Sequence, residues 1–176
     1  MKKRKIVACA MVAMLLLAGC GKQEQMVVVD EVVPAKVASV QATPIVEEEK
    51  SIADIYAEIQ NDVTLYSPME FDDEFLMNYY GIDASLLEEY VFSMSEDATS
   101  AETIVVMKAK QQEDVEMLSE LMQVVVEEKK NEMENYLPEQ FAIVEKAEVE
   151  TKGCYLWLVI SENEQSIKKM IEDGLK

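Results

Sequence analysis

Cys154-Tyr155-Leu156-Trp157-Leu158-Val159-Ile160 is an unbroken apolar run, preceded by the turn signal Lys152-Gly153. Such a run suits a central strand covered by helices. Before the turn, Ala147, Val149 and Thr151 alternate with Glu148, Glu150 and Lys152, the pattern of a half-exposed strand. Thr103 to Ala109 is rich in β-branched residues and reads as another strand. In Glu89 to Ser95, Tyr90, Phe92 and Met94 alternate with Val91, Ser93 and Ser95, which adds a fourth.

Helical spacing frames these strands. Ser51-Ile52-Ala53-Asp54 reads as a cap with a carboxylate three residues on, followed by Ile52, Ile55, Tyr56, Ile59 and Val63 at helical intervals. Ser67-Pro68 breaks the chain. Phe71, Phe75, Leu76 and Tyr79 predict a second short helix closed by Gly81, with Asp72-Asp73-Glu74 in its first turn, where the helix dipole favours carboxylates. The longest helix is expected from Gln112 to about Tyr136, its inner stripe being Val115, Leu118, Met122, Val125, Met133 and Tyr136. Pro138 starts a short helix through Val144, and Ser161 or Asn163 caps a last one with Ile167, Met170 and Ile171 inward. The expected fold is α+β: a two-layer sandwich with a four-stranded, mainly antiparallel sheet and helices on one face. In it a ββα unit occurs twice after two N-terminal helices.

The N-terminus carries a different signal. Lys2-Lys3-Arg4-Lys5 is basic, and Ile6 to Ala18 is thirteen residues without a charge. As a helix that core spans roughly 20 Å, too short for a ~30 Å bilayer interior. It has signal-peptide proportions. Leu17-Ala18-Gly19-Cys20 resembles a bacterial lipobox. The resemblance implies cleavage between Gly19 and Cys20 and a diacylglycerol on the Cys20 thiol, holding the protein to the outer face of the cytoplasmic membrane. Residues 1–19 are then signal, 20–50 the lipidated Cys and a disordered tether, and 51–176 the folded domain. Pro34, Pro44 and Glu47-Glu48-Glu49 mark the tether, which spans at most ~100 Å extended.

Cleavage leaves twelve basic and thirty-five acidic residues, a charge of −23. That excludes nucleic acid as a partner and favours cations. There is no His, and the only Arg is Arg4. His-based catalysis, Ser-His-Asp triads and His-ligated metals are therefore excluded. Cys154 has no partner cysteine in the mature chain and reads as a small buried hydrophobe. Ser166-Ile167-Lys168-Lys169 fits S-x-x-K, but its companion motifs are scrambled and the domain is too short for that enzyme fold. The Glu96, Asp97 and Glu102 loop is a weak cation candidate. No cofactor is expected.

Tyr80-Gly81-Ile82-Asp83, Glu88-Glu89-Tyr90-Val91, Ala101-Glu102, Tyr136-Leu137-Pro138-Glu139-Gln140 and Gly153-Cys154-Tyr155 together resemble an uncharacterised bacterial lipoprotein family. It is known as a domain of unknown function and found mainly in Gram-positive bacteria. The resemblance covers roughly residues 52–171 and implies location without an activity. Members of that family often carry an Arg late in the long helix, where this chain has Val124-Val125-Val126.

Three functional readings stay open. The first is a binding or interaction module for a protein, peptide or glycan. The second is an accessory subunit of an envelope complex, and the third a hydrolase using two carboxylates. The sheet supplies the candidate site. Tyr155, Trp157 and Val159 form a second apolar face, which either the helices of residues 52–79 cover or a groove exposes. In the groove reading, Tyr155 and Trp157 are flanked by Tyr79 and Tyr80.

Overall fold

The computed structural model describes residues 49–175. Gly19, Cys20, the signal and most of the tether lie outside the described residues.

The chain runs α1 (Ile52–Asp62), β1 (Pro68–Glu70), α2 (Asp73–Phe75), β2 (Leu87–Ser95), β3 (Thr103–Ala109), α3 (Val115–Met133), α4 (Pro138–Val144), β4 (Val149–Lys152), β5 (Tyr155–Ile160) and α5 (Glu164–Gly174). The strands form one antiparallel sheet in the order β1-β2-β3-β5-β4. It thus has five strands rather than the expected four. β1 was hidden because Ser67-Pro68 reads as a break. Pro68 is the first residue of an edge strand, where its missing N–H costs nothing.

A second correction concerns the layers. Paired residues share a face, so Phe92, Val105 and Leu158 point one way, and Val91, Val106 and Trp157 the other. On the first face, Leu76, Tyr80, Leu118, Met122, Val125 and Val144 close a core over Phe92, Met107 and Leu156. On the second, Ile52, Ile55, Tyr56, Ile59, Ile167 and Ile171 close another over Ile104, Val106 and Trp157. Helices therefore cover both faces, and the molecule has three layers. The physical reason is the two-sided apolarity of β5, all of whose residues are buried. Although β2-β3-α3 and β4-β5-α5 follow the expected order, α4 intervenes, and α3 and α5 lie on opposite faces. The two units are thus not a repeat in space.

Local signals explain the ends of the elements. Ser51 Oγ accepts from the Asp54 N–H at 3.1 Å and donates to the Asp54 carboxylate at 2.7 Å, which fixes the start of α1. Asp72 caps α2 through the Phe75 N–H. The helix then widens into a π turn over Leu76–Tyr80 and ends at Gly81, whose φ of 69° is left-handed. The wider turn buries Leu76 and Tyr80 and leaves Tyr79 66 % exposed, the reverse of the expected Tyr79 stripe. α3 ends at Met133, so Tyr136 stands beyond it and is exposed rather than in the core. Cys154 lies in the turn before β5 and is half-buried, its thiol 3.7 Å from Gln112 Oε1.

α1 and α5 touch at their closest point through Gly174. A Cβ there would meet Ile55 Cγ1 at 2.5 Å and Cδ1 at 2.6 Å, and Ile55 is itself 1 % exposed. Gly174→Ala should therefore cost about 1–3 kcal/mol by overpacking. The same substitution in an Ile55→Ala background should cost almost nothing, which urea melts of the four-variant cycle will measure. The indole of Trp157, 3 % exposed, should emit at a short wavelength and resist acrylamide until the protein unfolds.

Candidate functional site

The described chain enters and leaves at one end of the sheet. Lys50 N–H donates to the Gly174 carbonyl at 3.2 Å, and Lys152 Nζ to the Leu175 carbonyl at 2.8 Å. Beside them, the N–H of Ile52 donates to Glu89 Oε2 at 2.9 Å. The opposite end of the strands, near Ser95, Thr103 and Ile160, carries a polar furrow. Two of its lobes hold about 380 and 550 Å³; Ser161, Glu162, Asn163 and Lys146 line one, and Asp62, Thr64 and Lys169 the other. Asn163 and Ser166 are common to both.

Glu102 lies beneath this furrow at 6 % exposure. Oε1 accepts from the Tyr66 N–H at 2.8 Å and Oε2 from the Ser161 hydroxyl at 3.1 Å. One carboxylate thus joins the start of β3, the segment before β1 and the end of β5. Burial pushes its pKa above the usual carboxylate range, partly offset by these two donors and reinforced by nearby Glu162. A raised carboxyl pKa beside a second acid is the environment of a general acid. The cavity that meets Glu102 holds only about 10 Å³, however, enough for one water and closed to a substrate. The carboxylate acts as a clamp.

Trp157 and Tyr155 lie in the second core, Trp157 with no acceptor for its Nε1 among the described residues. Tyr80 lies in the first core, its hydroxyl 3.9 Å from Met94 Sδ, while Tyr79 is on the surface. The sheet therefore separates Tyr80 from Tyr155 and Trp157, and the four do not line one groove. α1, as expected of a helix from residues 52–79, covers Trp157; α5 shares the task, and the turn around Tyr80 goes to the opposite face. Asp97 is turned onto Thr99 N and Oγ1, at 2.9 and 2.7 Å, while Glu102 faces inward. Glu96, Asp97 and Glu102 do not converge on a cation, and no metal-binding cluster occurs among the described residues. Lys169 is paired with Asp173, which raises its pKa, the opposite of what a base for Ser166 would need.

Sequence reasoning missed the feature that Tyr79 does build. Phe71, Phe75 and Tyr79 form an aromatic ledge, with ring centroids 4.0 Å apart in the first pair and 4.4 Å in the second. Phe75 and Phe71 also meet Phe92 edge-on at 6.2 and 6.4 Å, which ties the ledge to the first core. The spacing of four between the rings is visible, but it reads only as that of a short helix. Only the π turn puts Tyr79 outside.

Residues 61–161, more than half of the chain, match the family model described as Domain of unknown function (DUF4358). The chain belongs to the DUF4358 family. The DUF4358 match takes in all five strands, α3, α4, the ledge and Glu102, while α5 and most of α1 fall outside it. No curated protein and no solved structure matches the chain.

Glu102 gives this DUF4358 domain a pH signature. With its pKa raised on folding, the native state holds this proton more tightly than the unfolded chain does. The associated stability is complete below the unfolded value of about 4.3 and is lost as pH rises through the folded value. Glu102→Gln removes that titration, so the variant should gain on wild type as pH rises above the unfolded value. Glu102→Ala should lose about 1–3 kcal/mol, because it strips both donors of their acceptor. Urea melts at pH 4 and pH 7 distinguish the two effects.

Proposed function

We propose that the protein is a membrane-anchored extracytoplasmic lipoprotein whose domain is a binding module. A partner lands on the aromatic ledge at Phe71, Phe75 and Tyr79. The observation that carries the binding reading is Tyr79, an aromatic ring 66 % exposed and held in place by a stack onto Phe75. Large exposed aromatics on a rigid mount are characteristic of recognition surfaces. Both sheet faces are occupied by the chain's own helices, which leaves recognition to the edges and loops.

Anchoring is supported by the basic start, the short uncharged core and Leu17-Ala18-Gly19-Cys20. Lipidation of Cys20 supplies the acyl chains that hold a protein on a bilayer, two chains being stable where one is marginal. No described helix is long and apolar enough to cross a membrane. Cys20→Ser should abolish incorporation of labelled fatty acid and leave the uncleaved precursor. In protoplasts, added protease should degrade the wild-type domain. Normal labelling of the variant, or full protection from protease, removes the anchored reading.

A further inference from the structure

Between Lys50 and Lys108 the chain has thirteen acidic residues and no basic one. α1, β1, α2, β2 and nearly all of β3 lie in that span. The ledge is in its middle, with Asp72, Asp73 and Glu74 in the turn between Phe71 and Phe75. Asp72 caps α2, and Asp73 accepts from the Tyr90 hydroxyl. None of the three is ion-paired among the described residues. On the neighbouring α3, Glu128 and Glu132 approach the Tyr80 hydroxyl, and Lys129 is paired with Glu132 at 2.8 Å. The aromatic surface thus stands among carboxylates, of which Asp72, Asp73 and Glu74 lack a cationic partner among the described residues.

We infer that the ledge binds a cationic peptide segment, with a lysine or arginine head over the open face of Tyr79 and its neighbours on Asp72 and Glu74. This rests on the binding-module reading and names the class of partner. Phe75 covers one face of the Tyr79 ring and leaves the other free. The negative face of an aromatic ring attracts a cation within about 6 Å, most strongly for Trp and Tyr. The unpaired carboxylates add attraction at longer range and reject anionic chains. The stem of the same lysine or arginine is apolar and suits the exposed edges of Phe71 and Phe75.

The test uses the full chain in nonionic detergent and three fluorescein-labelled decapeptides: (Lys-Ala)5, (Ser-Ala)5 and (Glu-Ala)5. Anisotropy should show saturable binding of (Lys-Ala)5 alone, weakening steeply as salt rises. Tyr79→Ala should weaken it about tenfold, whereas Tyr79→Phe keeps most of it. Glu74→Gln should weaken it severalfold by removing one unpaired charge. Tyr136→Ala removes an exposed aromatic elsewhere and should change nothing. Unchanged Trp157 emission in each variant shows that the fold is intact. If Tyr79→Ala binds like wild type, the peptide is held by diffuse charge and the inference fails. It fails equally if (Ser-Ala)5 binds as well as (Lys-Ala)5, or if chitohexaose displaces (Lys-Ala)5 and itself binds through Tyr79 without salt dependence. Those last two outcomes leave the ledge as a binding surface of another specificity. The Cys20 experiment reports on anchoring alone, so failure of either reading is distinguishable.

Discussion

A central strand that is apolar on both faces governs this molecule. Tyr155, Trp157 and Val159 face one side of β5, and Leu156, Leu158 and Ile160 the other, and all six are buried. Fully burying a side chain of this kind contributes about 1.5–3 kcal/mol, so neither face can be left to water without a large loss. β3 has the same property, with Ile104 and Val106 opposite Val105 and Met107. Two helical layers follow from this pair of strands. α3 and α4 supply one, and α1 and α5 the other. The second layer is assembled from the two ends of the domain. This explains why Gly174 must be small and why Lys50 bonds to the last turn of α5.

Once both faces are closed, polar groups are pushed to the strand ends, and Glu102 takes its place there. A carboxylate at 6 % exposure is costly to hold charged, yet here it satisfies a backbone donor of Tyr66 and the hydroxyl of Ser161. The cost is met because three chain segments converge at that point and otherwise leave those donors unpaired. Ala101 N–H is tied in the same region to Gln140 Oε1 at 2.8 Å, which brings α4 into the clamp. The furrow above is therefore framed by segments fixed from below. Its lining of Ser161, Asn163 and Ser166 can form hydrogen bonds, and Lys146, Glu162 and Asp62 add charge of both signs.

Much of this was legible in the sequence, for a physical reason that also marks where legibility stopped. Period-two alternation assigned the faces of β2, β3 and β5 correctly, because a strand has only two sides. Pro138 to Val144 was bounded by proline at its start. Three-residue β1 carries too few positions to show a period, and its proline argues for a break. The π turn over Leu76–Tyr80 defeats spacing rules altogether, since a five-residue step rotates each later side chain off the 3.6 register. Tyr79 consequently lies on the surface and Tyr80 in the core, and the candidate site moved from the sheet face to the helix surface. Periodicity also says that Trp157 faces away from Leu156, but not which helix meets it. That depended on α5 folding back across the second face, a choice of topology rather than of local pattern.

The charge distribution adds the last constraint. If the acidity served solubility alone, acids and bases would mix throughout the domain. They do not. All nine basic residues after Lys50 fall at or beyond Lys108, together with sixteen acids, and Lys129, Lys130, Lys168 and Lys169 make local pairs there. Lys168 bridges Glu150 on β4 and Glu164 on α5 at 2.7 and 2.5 Å, and Lys130 pairs with Glu127 at 3.1 Å. Two cations from this half reach the other: Lys108 pairs with Glu88 on β2 at 3.3 Å, and Lys110 donates to the Ser85 carbonyl at 2.8 Å, near Asp83. Apart from Lys50, which pairs with Glu58 at 2.6 Å, the N-terminal half, with the β1 edge, α2 and the ledge, has carboxylates and no base of its own. Self-repulsion there opposes folding, and the fold tolerates it because the carboxylates stand in water, where unit charges several ångströms apart repel by only about 1 kcal/mol. Brought under a partner, the same carboxylates would lose that solvent, and only a positive partner could compensate them. On the binding reading proposed above, the asymmetry would filter what approaches Tyr79, rejecting anionic surfaces before any contact with the aromatic rings is made.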